Sequence, residues 1–226
     1  MSACKVCKVK KKILCLHGYA MNPEWLREWL QPIEAMLSPR LEFVYPRGPI
    51  ACPVDEVETM MNRFQVTVPE SRLGHDQNWC WYRATDDKPP HYIGLDETLA
   101  GLHKLSLRHD GFDGVLGWSQ GAVVAAIMAA QQCNQDAYDY GLMWAVICGG
   151  FLPGDKTIKS WFDNEIGIQS LHVVGKKESE FLSQRAVDLY SRFSNADWLE
   201  TPVGHVMPIK HKSYMSEIED WIERRL

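Results

Sequence analysis

The chain has 226 residues, of which 46% are hydrophobic, and a formal net charge of −5 at pH 7. This length fits one domain with a single core better than two domains. The lack of a basic excess argues against nucleic acid as a partner. The seven cysteines are odd in number and irregularly spaced, which indicates a reducing compartment rather than a disulfide framework.

The amino-terminal residues 1–11 are basic and are predicted to be a flexible tail. Cys4 and Cys7 form a C-x-x-C motif without a second pair, so no zinc or other metal site is expected. No apolar run approaches the ~20 residues of a transmembrane helix, and none serves as a signal segment. The sequence therefore predicts a cytoplasmic protein without a transmembrane segment, and it leaves the oligomeric state open.

Short apolar runs alternate with helical patterns along most of the chain. This alternation predicts an α/β fold, with a mostly parallel sheet of about six strands flanked by helices on both faces. Strands are predicted at Ile13–Leu16, Leu41–Tyr45, Gly114–Gly117, Met143–Cys148, Leu171–Val174 and Trp198–Glu200. Helices are predicted at Pro23–Leu37, Asp96–Leu107, Ala122–Gln132, Glu180–Phe193 and Ser213–Arg225.

The segment 46–94 breaks this alternation, because it is long, contains several prolines and has a mixed pattern. Trp79, Trp81 and Tyr82 lie close together in it. We predict a lid or substrate-binding insertion within a single domain that spans 1–226. The alternative is a surface excursion whose aromatic residues only anchor it to the core.

The run Gly117-Trp118-Ser119-Gln120-Gly121 fits the G-x-S-x-G motif of a nucleophile elbow. It follows an apolar strand and precedes a helix rich in small residues. Such a sharp turn strains the backbone of the central serine and leaves no room for side chains two residues before and after it. Ser119 is therefore the predicted nucleophile of an α/β-hydrolase.

A serine nucleophile needs a histidine base that is oriented by a carboxylate, in the chain order Ser, Asp or Glu, His for this fold. Three histidines follow Ser119. His172 lies inside a predicted strand and His211 lies in a charged stretch. His205 follows the last strand, at the carboxyl edge of the sheet, and is the predicted base.

The carboxylate should follow the strand before that of the histidine. Glu178 is the first acidic residue after Leu171–Val174 and is the predicted triad member. Glu180 and Asp155 remain alternatives. Glu178 and Glu180 have a structural explanation too, because acidic residues are favoured in the first turn of a helix.

The oxyanion hole is expected to use two backbone N–H groups, those of Gln120 and of Tyr19 in the loop after the first strand. In the same loop, His17 precedes the nucleophile in the chain and is interpreted as a scaffolding residue. An apolar substrate pocket is predicted, although each of its residues could equally belong to the core. Its walls are assigned to Trp79, Trp81, Phe151, Phe181 and Met207.

These motifs together resemble the small α/β-hydrolases known as the "family of serine hydrolases" and, more distantly, the acyl-protein thioesterase and carboxylesterase group. The resemblance runs from about Lys12 to Pro208. It departs from the family pattern at Glu178, where an aspartate is usual, and at Trp118, where a phenylalanine is usual. The motifs that carry it are Leu16-His17-Gly18-Tyr19, Trp81, Asp113 to Gly121, Cys148-Gly149-Gly150-Phe151, Gly175 onward and Gly204-His205-Val206-Met207-Pro208.

The resemblance implies an α/β-hydrolase fold, no metal or organic cofactor, and hydrolysis of small or acyl-chain esters or thioesters through an acyl-enzyme on Ser119. The alternatives are an acyl-protein or acyl-CoA thioesterase, an acyltransferase, and a binding protein that keeps the fold without turnover.

Overall fold

The computed structural model describes residues 10–64, 78–134 and 138–226, with backbone alone for 60–64. The described residues contain ten strands, numbered here in chain order. They are β1 (Lys11–Leu16), β2 (Leu41–Val44), β3 (Ile50–Ala51), β4 (Trp79–Cys80), β5 (Arg83–Ala84), β6 (Tyr92–Ile93), β7 (Gly114–Trp118), β8 (Trp144–Cys148), β9 (Gln169–Gly175) and β10 (Ala196–Thr201).

Six of the strands form one parallel sheet in the order β2-β1-β7-β8-β9-β10. Ile13 of β1 pairs with Phe43 of β2 on one side and with Gly114 of β7 on the other. The middle strands β7 and β8 are buried along their whole length, which explains their continuous apolar sequences. All six predicted main-sheet strands are present, and the α/β prediction is confirmed.

Helices cover both faces of this sheet. They are α1 (Pro23–Leu37), α2 (Val54–Phe64), α3 (Leu95–Arg108), α4 (Gln120–Asn134), α5 (Glu180–Tyr190) and α6 (Lys212–Glu223), together with a 3-10 helix at Lys156–Phe162. Side chains of β1 alternate between the faces. Leu14 and Leu16 pack with α3, α4 and α5, whereas Ile13 and Cys15 pack with α1 and α6.

Helix α4 is the central element of the first face. Its residues 120–131 are all buried against the sheet and the surrounding helices. The small residues of its first turns allow this close approach. Because α4 begins where β7 ends, it fixes the turn between them at the carboxyl edge of the sheet.

The predicted boundaries differ from the observed ones by a few residues. Only α1 has the predicted bounds. Strand β9 runs from Gln169 to Gly175, three residues longer than predicted, and α4 begins at Gln120 rather than Ala122. Ends of this kind are polar or lack periodicity, so the apolar pattern does not define them.

The segment 46–94 contains α2 and the short strands β3 to β6, and its residues 65–77 lie outside the described part. Strand β3 pairs with β4, and β5 with β6, in two small antiparallel ribbons. The predicted tail falls mostly on residues 1–9, which are also outside the described part, while Lys11 already belongs to β1. Within the described ranges, no helix combines the length and apolar character that crossing a membrane requires.

Candidate active site

Ser119 lies in the turn between β7 and α4 with a φ of 52°, in the left-handed region that L-residues rarely adopt. A Cβ on Gly117 would lie 2.3 Å from the Gly121 carbonyl oxygen, and one on Gly121 would lie 2.2 Å from the Leu16 oxygen. The backbone N–H of Ser119 donates to the Cys148 carbonyl at 2.9 Å. The backbone of Ser119 is therefore strained, as predicted. Neither glycine can carry a side chain unless neighbouring backbone moves.

His205 follows β10 and brings its Nε2 to 2.8 Å from Ser119 Oγ. Its ring packs against the indole of Trp118, with 5.1 Å between ring centroids. On another side it faces Gly149, where a Cβ would lie 3.1 Å from His205 Cε1. The ring is thus held by packing in a position that reaches the serine hydroxyl.

Glu178 completes the arrangement, with its Oε2 3.3 Å from His205 Nδ1 and its side chain 3% exposed. It lies in a turn after β9, where its N–H donates to the Gly175 carbonyl at 3.1 Å. The Lys177 N–H donates to the Val203 carbonyl at 2.9 Å, which ties this turn to the histidine loop. The geometry suits a protonated Nδ1 that faces the carboxylate and leaves Nε2 free to accept from Ser119.

The two alternative carboxylates have other positions. Glu180 is exposed in the first turn of α5. Asp155 begins the 3-10 helix, where its Oδ1 accepts from the Thr157 N–H at 2.8 Å and its Oδ2 from the Tyr92 N–H at 2.7 Å. Glu178 is therefore the carboxylate that the structure brings to His205.

The two alternative histidines are also placed elsewhere. His172 is buried within β9, and its Nε2 lies 3.2 Å from Ser170 Oγ. Burial lowers its pKa to about 3, so its ring stays neutral at physiological pH. His211 is exposed at the start of α6.

The two predicted oxyanion donors lie in neighbouring turns. Strands β1 and β7 are adjacent and parallel, with Leu16 paired to Gly117, so the turns after them meet at one edge of the sheet. Tyr19 belongs to the first turn, and Gln120 begins α4 directly after Ser119. The first N–H groups of a helix have no intrahelical partner and favour negative charge. This edge can therefore stabilise an oxyanion.

The side chain of Gln120 makes two hydrogen bonds that were not predicted from the sequence. Its Oε1 accepts from the Trp81 N–H at 2.8 Å, and its Nε2 donates to the Tyr82 carbonyl at 2.8 Å. The Trp81 indole N–H in turn donates to the His17 carbonyl at 2.7 Å. The signal available in the sequence was a polar residue at the start of an otherwise apolar, buried helix.

His17 is buried and hydrogen bonded on both ring nitrogens. The Gly48 N–H donates to its Nε2 at 3.0 Å, so its Nδ1 carries the proton and faces the Gly18 carbonyl at 2.8 Å. Burial lowers the pKa of His17 to about 4, and the Gly18 contact opposes this only partly. These contacts agree with the predicted scaffolding role.

Three predicted substrate-binding residues are at least partly accessible. Trp79 is half-buried, with the Arg47 guanidinium 3.8 Å from its ring centroid. Phe181 is 65% exposed, and Phe151 is half-buried. The Arg185 guanidinium lies over both phenylalanine rings, at 5.2 and 5.0 Å. Their contact with substrate stays a prediction.

The other two predicted pocket residues are in the core. Trp81 is 1% exposed and packs with the α3 and α4 face of the sheet, and Met207 is 4% exposed and packs with the α1 and α6 face. The alternative interpretation of these two side chains as core residues fits their positions better than the wall of an open pocket.

The sheet, the helices on its two faces and the serine turn at its carboxyl edge define an α/β-hydrolase. A family model described as "Serine hydrolase (FSH1)" matches residues 6–216. The chain therefore belongs to this serine hydrolase family.

Individual relatives are similar over most of the chain. Esterase OVCA2 of Danio rerio is 29% identical, and the match covers 96% of this chain and 98% of the relative. Esterase CG5412 of Drosophila melanogaster is 27% identical, with 88% and 69% covered. The solved structure of Zea mays acyl-protein thioesterase 2 superposes with a TM-score of 0.69 at 22% identity, with 96% and 94% covered, which supports the fold.

Proposed function

We propose that this member of the family is a carboxylic ester hydrolase that works through an acyl-enzyme on Ser119. The observation that carries the proposal is the 2.8 Å contact between Ser119 Oγ and His205 Nε2, at a serine whose backbone has a φ of 52°. A strained serine within reach of an imidazole base is the arrangement that acyl transfer needs. The esterase names of the relatives support the same bond type.

The first half-reaction forms the acyl-enzyme. Ser119 Oγ attacks the carbonyl carbon of the ester while His205 Nε2 takes the hydroxyl proton. The carbonyl oxygen becomes an oxyanion that accepts hydrogen bonds from the backbone N–H groups of Tyr19 and Gln120. Each such donor stabilises the transition state by about 3 kcal/mol. The bond to the leaving alkoxide breaks, and His205 returns the proton to it.

The second half-reaction restores the enzyme. His205 takes a proton from water as the water oxygen attacks the acyl carbon, and the proton then goes back to Ser119 Oγ as the acid product leaves. Glu178 accepts from the His205 Nδ1–H and stabilises the imidazolium that forms twice in the cycle. Its 3.3 Å distance from Nδ1 and its 3% exposed side chain support this role.

The substrate is proposed to be a small-molecule ester, and a thioester is the second candidate. An ester and a thioester present the same acyl carbon to Ser119, and a thioesterase is among the structures with this fold. An acyltransferase would differ only in the nucleophile that attacks the acyl-enzyme. The proposed location is the cytoplasm, which is supported by the unpaired state of the five described cysteines, Cys15, Cys52, Cys80, Cys133 and Cys148.

The direct test is hydrolysis of p-nitrophenyl esters and of acyl-CoA thioesters with matched chain lengths, by the wild type and by Ser119→Ala. We expect the wild type to turn over one series and Ser119→Ala to lose at least ~10³-fold in kcat. Turnover that survives in Ser119→Ala would exclude the acyl-enzyme. Tight binding of the substrates without any turnover by the wild type would support a non-catalytic binding protein instead.

A further inference from the structure

The turn that carries Tyr19 is strained. Ala20, the next residue, has a φ of 54° and is fully buried. An alanine rarely adopts this left-handed region, because its Cβ approaches the following carbonyl oxygen. Such a conformation persists only where the surrounding structure holds it. The contacts of this turn therefore determine where the Tyr19 N–H points.

Backbone pairing and packing supply the first set of contacts, and both come from the segment 46–94. The Met21 N–H donates to the Trp79 carbonyl at 3.3 Å, and the Trp79 N–H donates back to the Met21 carbonyl at 2.8 Å. Ala20 packs in a small buried cluster with Cys52, Val57 and Cys80. Strands β3 and β4 and helix α2 thus pack against the Tyr19 turn and support it.

A chain of polar contacts supplies the second set. The Tyr19 hydroxyl donates to Glu56 Oε2 at 2.9 Å, and Arg83 Nη1 lies 2.6 Å from Glu56 Oε1. Arg83 Nη2 also donates to the Ala51 carbonyl at 2.9 Å. Each carboxylate oxygen of Glu56 therefore has a donor of its own, and the guanidinium fixes the carboxylate to the β3 backbone.

The phenol keeps its proton in this environment. Burial, followed by the neighbouring Cys52 thiol and Glu56 carboxylate, raises the pKa of Tyr19 well above its ordinary value. The hydroxyl is therefore a donor to Glu56 at every pH at which a histidine base works.

From these contacts we infer that Glu56, oriented by Arg83, is a positioning residue that holds the Tyr19 turn so that its backbone N–H faces the oxyanion. The inference rests on the proposed function, since it assigns Glu56 a part in the same reaction. It means that α2 and β5 help to position the oxyanion donor, in addition to any role of the segment 46–94 in covering substrate. Glu56 touches neither substrate nor Ser119 in this role, and it acts only through Tyr19.

The test is a double-mutant cycle with Tyr19→Phe and Glu56→Gln. Tyr19→Phe removes the hydroxyl but keeps the backbone N–H, and Glu56→Gln places an amide NH₂ against one of two donors. Tyr45→Phe is the matched control, because the half-buried Tyr45 hydroxyl donates to Glu34 Oε2 at the same 2.9 Å, and Glu34 belongs to α1 rather than to the contacts of the Tyr19 turn. Steady-state kinetics with the best p-nitrophenyl ester and thermal unfolding are measured for all variants.

We expect Tyr19→Phe and Glu56→Gln each to lower kcat about tenfold with KM changed less than about twofold, a part of the ~10²–10³ lost with a whole oxyanion donor. The double variant should be no slower than the slower single variant, because both changes remove one interaction. Tyr45→Phe should keep the wild-type kcat even if its melting temperature falls as far as that of Tyr19→Phe.

Two results would overturn the inference. One is a kcat for Tyr19→Phe and Glu56→Gln that matches Tyr45→Phe. The other is a multiplicative loss in the double variant, which would mean that Glu56 acts independently of Tyr19. Ser119→Ala in the same assay separates this failure from failure of the proposed function. If Ser119→Ala abolishes turnover, the acyl-enzyme stands and only the positioning role is lost.

Discussion

Glu178 supplies the carboxylate that faces the imidazole of His205. The sequence pattern of this family led us to expect an aspartate at this position. The glutamate side chain is longer by one methylene. The structure accommodates that length in a turn after β9, with the carboxylate 3.3 Å from His205 Nδ1 and 3.4 Å from the Gly175 N–H. The glutamate side chain thus reaches the imidazole from this turn.

Glu178→Gln should lower kcat by about 10³–10⁴, because an amide at Oε2 cannot hold the imidazole in the required tautomer or stabilise its charged form. Glu180→Gln is the matched control, since Glu180 is exposed two residues later, and it should stay within about twofold of the wild type. Steady-state ester hydrolysis by the two purified variants distinguishes them. The reverse order of activities would move the acid to Glu180.

Two other residue-scale features were left undetermined by the sequence. The contact of Tyr19 with Glu56 joins residues 37 positions apart in the chain, and no periodic pattern connects them. Trp81 and Met207 have the composition of pocket walls, but aromatic and sulfur-containing side chains are equally common in cores. His205 was easier to predict, because its position after the last strand places it at the carboxyl edge of the sheet, where Ser119 lies.

At the scale of elements, the turn between β7 and α4 is fixed by close backbone contacts. Gly121 approaches β1 so closely that a Cβ would lie 2.2 Å from the Leu16 oxygen and 2.5 Å from the His17 oxygen. Backbone atoms cannot move aside as a flexible side chain can. The helix, the serine turn and the Tyr19 turn are therefore coupled through this one glycine.

Gly121→Ala should destabilise the protein by more than about 3 kcal/mol or prevent folding, because overpacking against backbone is relieved only by shifting α4. Gly101→Ala tests the opposite case. Gly101 is exposed within α3, and a Cβ added there would meet nothing within 4 Å beyond its chain neighbours and the backbone of its own helix, so alanine should stabilise by about 0.5–1 kcal/mol. Urea unfolding measures both, and equal effects of the two changes would contradict the packing argument.

The buried elements were predicted well, whereas the helix and short strands within the segment 46–94 were not identified from the sequence. Strands β7 and β8 are apolar throughout because both of their faces are covered, so their sequences identify them. Strands β3 to β6 have two residues each, which is too short for any alternation to show. Strand β4 pairs with β3 and also bridges to Met21 after the Tyr19 turn, and these long-range contacts leave no pattern in the local sequence.

At the scale of the whole molecule, two buried histidines are neutral at physiological pH. His17 and His172 have pKa values lowered by burial to about 4 and about 3. In the unfolded chain a histidine binds its proton below about pH 6.5. Between these values the unfolded chain binds more protons than the folded protein, so the free energy of unfolding falls as the pH falls.

The free energy of unfolding should therefore be highest above pH 6.5 and should decrease from there toward pH 4, by up to ~1.4 kcal/mol per pH unit for each histidine. His172→Phe keeps an aromatic ring against Tyr190 and Phe193 but cannot titrate, so its decrease should be shallower. Urea unfolding at several pH values gives the slopes. Identical slopes for the wild type and His172→Phe would contradict the assignment.

The central claim is that Ser119 is the nucleophile, and covalent labelling with a fluorophosphonate tests it most directly. The probe should modify the native protein once, and peptide mapping should place the modification on Ser119. Ser119→Ala should remain unlabelled, while Ser213→Ala, which changes an exposed serine in α6, should label at the wild-type rate. Undiminished labelling of Ser119→Ala, or a modification mapped to another residue, would contradict the account.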